Sequence, residues 1–194
     1  MPDVLLFHSG LGLRPAVHRF ADALRAEGHV VHTPDLYDGD VFPSLVEGGI
    51  AKRDALGIAE IARRAAAAAE DLPFDLVYAG FSLGCGPAQM LAQTRQGARG
   101  ALLMHGCLPA AAFEVPWPAH LPLAIHTTEH DEWVDLDVAH ALADEAGGEL
   151  HLYPGDAHLF ADDESPDYDE RSARLMRDRA LTFLDVAAGS LRGA

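Results

Sequence analysis

The chain has 194 residues, of which 49% are hydrophobic and 23% charged, and its formal net charge is −16. This is the make-up of one ordinary globular domain with a substantial core, and the acidic surplus argues against nucleic acid or an anionic membrane as partner, since either wants a basic face. Two cysteines are too few for a disulfide framework; no apolar run reaches the roughly 20 residues of a membrane span, and Met1-Pro2-Asp3 lacks the basic start of a signal peptide, so a cytoplasmic protein is expected.

Val4 to Phe7 is a short apolar run ended by His8-Ser9-Gly10-Leu11-Gly12, the pattern of a buried strand and a glycine-bearing loop. Pro15 then opens a helix whose Val17, Phe20, Ala21 and Leu24 share one face and which Gly28 closes. Val30-Val31 centre a second strand, and strand, helix and strand in so few residues make a right-handed βαβ unit. Residues 38–50, with Gly39, Pro43, Gly48 and Gly49, read as a loop, and the alanine-rich stretch from Ala51 to Asp71 reads as one helix stopped by Pro73.

Leu76 to Gly86 holds an apolar run, then Gly80-Phe81-Ser82-Leu83-Gly84, then a small-residue segment fit for a helix. Gly-x-Ser-x-Gly arises by chance in roughly one chain in twenty of this length, so its context decides. A strand before it and a helix after it are what a nucleophile elbow requires, because the sharp turn that lifts the hydroxyl above the sheet leaves no room for side chains two positions away on either side. Further strands are expected at Ala101–Met104, Leu123–His126 and Leu150–Tyr153. A helix from Asp135 to Ala146 precedes the last of these, and a final helix runs from Tyr168 to Val186 with Leu175, Met176, Ala180, Phe183 and Leu184 facing inward. The expected fold is α/β: a mostly parallel, doubly wound sheet of about six strands with helices on both faces and no large cap domain. Residues 1–188 form a single domain in this reading, and residues 189–194 a frayed tail.

Ligands of such sheets sit beyond the carboxyl ends of the strands, and a serine needs a base and an acid that orients it. On an elbow of this kind the chain order is Ser, acid, His, each on a loop after a strand. Asp131 follows the fifth strand and His158 the sixth, with Glu129 and Glu132 as rivals for the acid. His151 lies within a strand, His105 and His126 precede the acid, and Asp156 suits a turn. The amides of Leu83 and Gly10 are the candidate oxyanion donors. Leu11, Phe81, His105, Trp117, Trp133 and Phe160 are candidate pocket walls, and Cys107 to His120 a candidate short cap. Eleven histidines notwithstanding, no metal-ligand spacing appears, so a metal is not expected.

Phe7-His8-Ser9-Gly10-Leu11-Gly12, Thr33-Pro34-Asp35-Leu36-Tyr37, the elbow, Asp131, and Tyr153-Pro154-Gly155-Asp156-Ala157-His158-Leu159-Phe160 together resemble the dienelactone hydrolase family of the α/β-hydrolases. The resemblance covers nearly the whole chain. It implies a compact hydrolase with a Ser/Cys-His-Asp triad acting on a small ester or lactone, without cofactor. Members that open dienelactones carry a cysteine nucleophile and a glutamate in the first loop; here those places hold Ser82 and Ser9. Cys85 lies a turn into the helix and does not replace the nucleophile, and Arg14, Arg53 and Arg95 are candidates to hold a substrate carboxylate. The expected reaction is ester or lactone hydrolysis through an acyl-enzyme. The rival readings are a thioesterase or acyltransferase using the same triad, and an idle fold that only binds a ligand or partner.

Overall fold

A computed structural model describes Met1 and residues 3–189. Six parallel strands form one sheet: β1 (Asp3–Phe7), β2 (Val31–His32), β3 (Leu76–Phe81), β4 (Gly100–Met104), β5 (Leu123–Thr128) and β6 (Glu149–Tyr153). Their spatial order is β2-β1-β3-β4-β5-β6. Strands β3, β4 and β5 are buried at every position, which is why each reads as a continuous apolar run rather than an alternation. Successive residues still part to opposite faces: Leu76 and Tyr78 join one core cluster, Val77, Ala79 and Phe81 the other.

Among the described residues there are six α-helices: α1 (Pro15–Ala26), α2 (Gly49–Leu56), α3 (Ile58–Ala69), α4 (Cys85–Thr94), α5 (Leu136–Ala146) and α6 (Glu170–Gly189). One face of the sheet packs against α1 and α6 through Val17, Ala21, Leu24, Met176, Ala180 and Leu184. The other packs against α3, α4 and α5 through residues such as Ile61, Ala65, Leu91 and Leu142. Each fully buried leucine contributes about 1.5–3 kcal/mol to holding its helix down. Local signals fix the ends. Pro15 supplies the first turn of α1, the Asp135 carboxylate caps α5 by accepting from the amides of Asp137 and Val138 at 3.0 and 3.2 Å, and Gly147 ends it in the left-handed conformation.

The strand order reverses between β1 and β3, so the loops leaving these two neighbours diverge and open a crevice at the sheet's carboxyl edge. Both the elbow and the His8–Gly12 loop lie there.

Several expectations are corrected in detail. The stretch from Ala51 to Asp71 is two helices, because Gly57 adopts φ +79 and ψ 149 between α2 and α3, a backbone state no helix contains. The second of the early strands is only Val31–His32, and Val30 is half-exposed beside it. The last helix begins at Glu170, where the Asp169 carboxylate accepts from the Ser172 amide at 2.7 Å as its cap. Tyr168 precedes it, and Leu175 is 43% exposed rather than inward. Gly189 is the last helical residue; the rest of the expected tail, residues 190–194, lies outside the described residues.

Candidate active site

Ser82 has φ +49, left-handed and uncommon for a residue with a Cβ. The strain is held by close backbone packing on both sides. A Cβ on Gly80 would overlap the carbonyl of Gly84, and one on Gly84 would stand 2.6 Å from the Phe7 oxygen and 2.7 Å from that of His8. Glycine at 84 therefore lets the elbow press against the end of β1, bringing Leu83 and Gly10 to the same cleft as Ser82.

The loops after β5 and β6 are laced together by backbone bonds, from the Glu129 amide to the Tyr153 oxygen (2.8 Å) and from His130 to Gly155 (3.1 Å). They deliver two side chains. His158 Nε2 lies 2.7 Å from Ser82 Oγ, and its Nδ1 lies 2.8 and 3.0 Å from the two oxygens of Asp131. Asp131 is buried and also accepts from the Trp133 amide at 2.9 Å and the Thr127 hydroxyl at 3.3 Å. An ionised carboxylate can only accept, so Nδ1 carries the ring proton and Nε2 is left to accept from the serine. Glu129 and Glu132, the rival acids, are exposed.

The cleft beside Ser82 has a volume of about 340 Å³. Its walls are mainly aliphatic: Ile50 from α2, Ile58 and Ile61 from α3, Met90 from α4, and Leu108 and Phe113 from the segment after β4. Of the six expected wall residues, His105 and Trp133 line it. Trp133 is 52% exposed at the mouth, its ring 5.7 Å from that of His158. Leu11, Phe81, Trp117 and Phe160 do not line it. All four are buried: Phe81 and Phe160 belong to the α1/α6 face, Trp117 is locked in the core by its indole N–H to the Leu121 oxygen at 2.9 Å, and the Leu11 carbonyl accepts from the Phe42 amide at 2.9 Å.

The expected short cap is one 3-10 turn, Ala110–Phe113. Two buried glutamines of α4, which the sequence reading passed over, hold it. Gln89 donates to the Leu108 oxygen at 2.7 Å and accepts from its amide at 2.9 Å, while Gln93 donates to the oxygens of Ala110 and Val115. Their spacing of four on a helix that is otherwise buried was the available signal. His8 was likewise passed over. Its Nδ1 donates to the Ser9 oxygen at 2.7 Å and its Nε2 accepts from the Leu36 amide at 3.0 Å; burial pushes its pKa down, so a neutral imidazole ties the loop after β1 to the chain after β2.

Ser9 faces away from the cleft. Its hydroxyl accepts from the Leu11 amide at 3.2 Å and borders a narrow crevice with Phe81, His105 and Asp162. The Cys85 thiol is buried and donates to the oxygens of Gly80 and Met104, both at 3.1 Å; burial raises its pKa well above the ordinary value. Of the three arginines, Arg53 lines the cleft, its guanidinium paired with Asp54 at 2.7 Å. Arg14 pairs with Asp162 and Glu164, and Arg95 bonds the Tyr78 hydroxyl and the Leu72 oxygen, both away from the cleft. Among the described residues, no group of three or more His, Cys, Asp or Glu side chains is placed to hold a metal ion, and no helix is long and apolar enough to cross a membrane.

A doubly wound parallel sheet with a strained serine between its third strand and following helix is the α/β-hydrolase fold. Within it, the chain belongs to the dienelactone hydrolase family, whose model matches residues 1–187, and it is thus of a hydrolase family. Among curated proteins there is no match. Solved structures share the fold at low identity. A dienelactone hydrolase-like promiscuous phosphotriesterase from metagenomic libraries is 20% identical with a TM-score of 0.78, covering 95% of this chain and 86% of its own. A dienelactone hydrolase from Anabaena variabilis is 18% identical with a TM-score of 0.67, covering 95% and 86%. Esterase 2 of Thermogutta terrifontis, phosphorylated by paraoxon, is 17% identical with a TM-score of 0.60, covering 100% and 85%.

Proposed function

We propose that this protein is a serine hydrolase that cleaves small apolar carboxylic esters, lactones included, through an acyl-enzyme. The observation that carries the reading is the continuous bond chain from Ser82 Oγ to His158 Nε2 at 2.7 Å and from His158 Nδ1 to Asp131 at 2.8 Å. In this reading Ser82 Oγ forms a bond to the substrate carbonyl carbon while its proton passes to Nε2. The carbonyl oxygen becomes an oxyanion facing the amides of Gly10 and Leu83, which border the same cleft. Collapse breaks the bond to the leaving alkoxide, which takes the proton from Nε2. Water then gives its proton to Nε2 and its oxygen to the acyl carbon, and the acid leaves as Ser82 is restored.

The aliphatic walls contributed by Ile50, Ile58, Ile61 and Met90 favour an apolar acyl or alcohol group of a few carbons. Hydrolysis of p-nitrophenyl acetate and butyrate, with Ser82→Ala and His158→Ala as controls, tests the proposal, together with labelling by a fluorophosphonate. Wild-type turnover lost in both variants, and labelling lost in Ser82→Ala, is the expected result. A wild type that neither turns over nor labels would overturn it in favour of an idle fold. Because esterase 2 of Thermogutta terrifontis, which shares the fold, is phosphorylated by paraoxon, paraoxon is a second stoichiometric probe, expected here to modify Ser82 once per chain.

A further inference from the structure

His105 ends β4 with φ +66, a left-handed state for a residue with a Cβ, and its amide donates to the His126 oxygen at 2.7 Å. Its ring is 1% exposed. It stacks on Phe81 at 5.9 Å, meets Phe160 edge-on at 4.5 Å, and stands 6.1 Å from the ring of His158. The imidazole is thus wedged between the residue that precedes the nucleophile and the loop that carries its base. Burial pushes its pKa well below the ordinary value, so it is neutral. A neutral imidazole offers one donor and one acceptor, yet neither ring nitrogen has a hydrogen-bond partner among the described residues.

A phenylalanine would fill this aromatic wedge without desolvating two polar atoms, so packing alone does not account for a histidine. The ring's surroundings do. On the side away from the cleft it borders a crevice of about 10 Å³ with Ser9 and Asp162, the remaining walls being Ala16, Val17, Phe81 and others of low polarity. That space is at the lower limit for one water, and three residues with polar side chains border it, within the two to four partners that a buried water needs. The Asp162 carboxylate, which also accepts from the Glu164 amide at 2.9 Å and pairs with Arg14 at 3.5 Å, has lone pairs to spare for a further donor. Ser9 Oγ already accepts from the Leu11 amide, so its hydroxyl proton is free to point into the crevice.

Building on the serine-hydrolase reading, we propose that His105 is a positioning residue for the Ser82–His158 pair, acting through one water that it shares with Ser9 and Asp162. The water joins the loop bearing Gly10 to the end of β4, and the ring so fixed supports His158 from below. This also gives Ser9 a purpose distinct from that of the family glutamate, on the opposite side of the nucleophile from the cleft.

The test compares His105→Phe, His105→Gln and Ser9→Ala with wild type for thermal stability, kcat and KM on p-nitrophenyl butyrate, and fluorophosphonate labelling rate, alongside a high-resolution crystal structure of the wild type. Expected is an ordered water within hydrogen-bond distance of the His105 ring and Ser9 Oγ. His105→Phe then raises Tm while lowering kcat on the order of tenfold to a hundredfold, with KM near wild type; His105→Gln, which can still bond the water, recovers most of kcat, and Ser9→Ala lowers kcat in the same direction. A dry crevice, or His105→Phe at wild-type kcat, overturns the proposal. Should His105→Phe fail to fold, wild-type kcat in Ser9→Ala overturns it equally. If the parent reading fails instead, the wild type itself neither labels nor turns over, whereas the water and the Tm of His105→Phe are still read.

Discussion

Asp131→Asn is the substitution whose effect follows most directly from the geometry. Three donors converge on the carboxylate: the Trp133 amide at 2.9 Å, the Thr127 hydroxyl at 3.3 Å and His158 Nδ1 at 2.8 Å. An asparagine has one oxygen to offer. The Trp133 N–H belongs to the backbone and cannot turn, so the carboxamide oxygen takes the place of Oδ1 and the NH₂ that of Oδ2. That NH₂ now donates to Nδ1, and the ring proton moves to Nε2. With Nε2 protonated, His158 no longer accepts from Ser82, and the serine loses its base although every heavy atom stays in place. A wrong tautomer of this kind costs a serine triad about 10⁴ in kcat, or about 5.5 kcal/mol at 1.36 kcal/mol per decade. The Thr127 hydroxyl, which donated to Oδ2, turns to accept from the new NH₂, so the number of hydrogen bonds there is kept and the urea midpoint should stay near wild type. Initial rates on p-nitrophenyl butyrate at neutral pH measure the first quantity and chemical denaturation the second. If the folded variant retained a tenth or more of wild-type turnover, Asp131 would not be the group that orients His158.

Other outcomes follow from the same structure. Gly80→Ala should destabilise the fold by about 3 kcal/mol, because the new methyl meets the backbone of Gly84 rather than a yielding side chain; a urea midpoint equal to wild type would contradict this. His8, His105 and His126 are all held below their ordinary 6.5 by burial. Above pH 6.5 neither folded nor unfolded chain protonates them, and their contribution to stability is complete. Below it the unfolded chain takes up protons that the folded chain refuses, so stability falls on acidification at up to roughly 4 kcal/mol per pH unit for the three together, until their folded values are reached. Unfolding midpoints between pH 7.5 and 5.5 measure the slope, and a flat profile refutes it. Iodoacetamide at pH 8 should leave esterase activity intact. Cys85 is buried with its pKa raised, and Cys107 is pushed up to about 12 by burial and the charge of Asp135, so little thiolate exists to react. Rapid inactivation would point to a cysteine nucleophile instead.

Much of this architecture was legible from short-range pattern. The strands ran apolar because they are covered on both faces, and the order Ser82, Asp131, His158 along the chain was enough to pick the residues that the structure joins by hydrogen bonds. Pocket walls were not legible in the same way, because closeness in sequence to a loop does not say to which side of a sheet a side chain turns. Phe81 adjoins Ser82, yet in β3 it shares its parity with Val77 and Ala79, and all three point to the α1/α6 face. Counting back from Ser82 would have placed it there. Phe160 follows His158 by two residues and packs on the same face, against Tyr153 and His105.

The cleft itself owes its form to the feature that the alanine-rich stretch concealed. A single glycine within a helical pattern costs only about 1 kcal/mol against alanine and so leaves the periodicity undisturbed; read that way, residues 51–71 make one rod with one buried stripe. Gly57 at φ +79 turns the rod into a corner. Ile50 and Arg53 then reach the cleft from α2, and Ile58 and Ile61 reach it from α3, a set that one straight helix could not aim at a common point because positions 50 and 61 stand about 16 Å apart along its axis. Ile58 is 64% exposed just after the break, and the start of α2, at the far end of that helix from the break, rests on the loop after β1, where a Cβ on Gly49 would stand 2.6 Å from the Gly10 oxygen. The bend therefore shapes the apolar wall of the cleft, while the start of α2 braces the loop from which Gly10 borders the same cleft as Ser82.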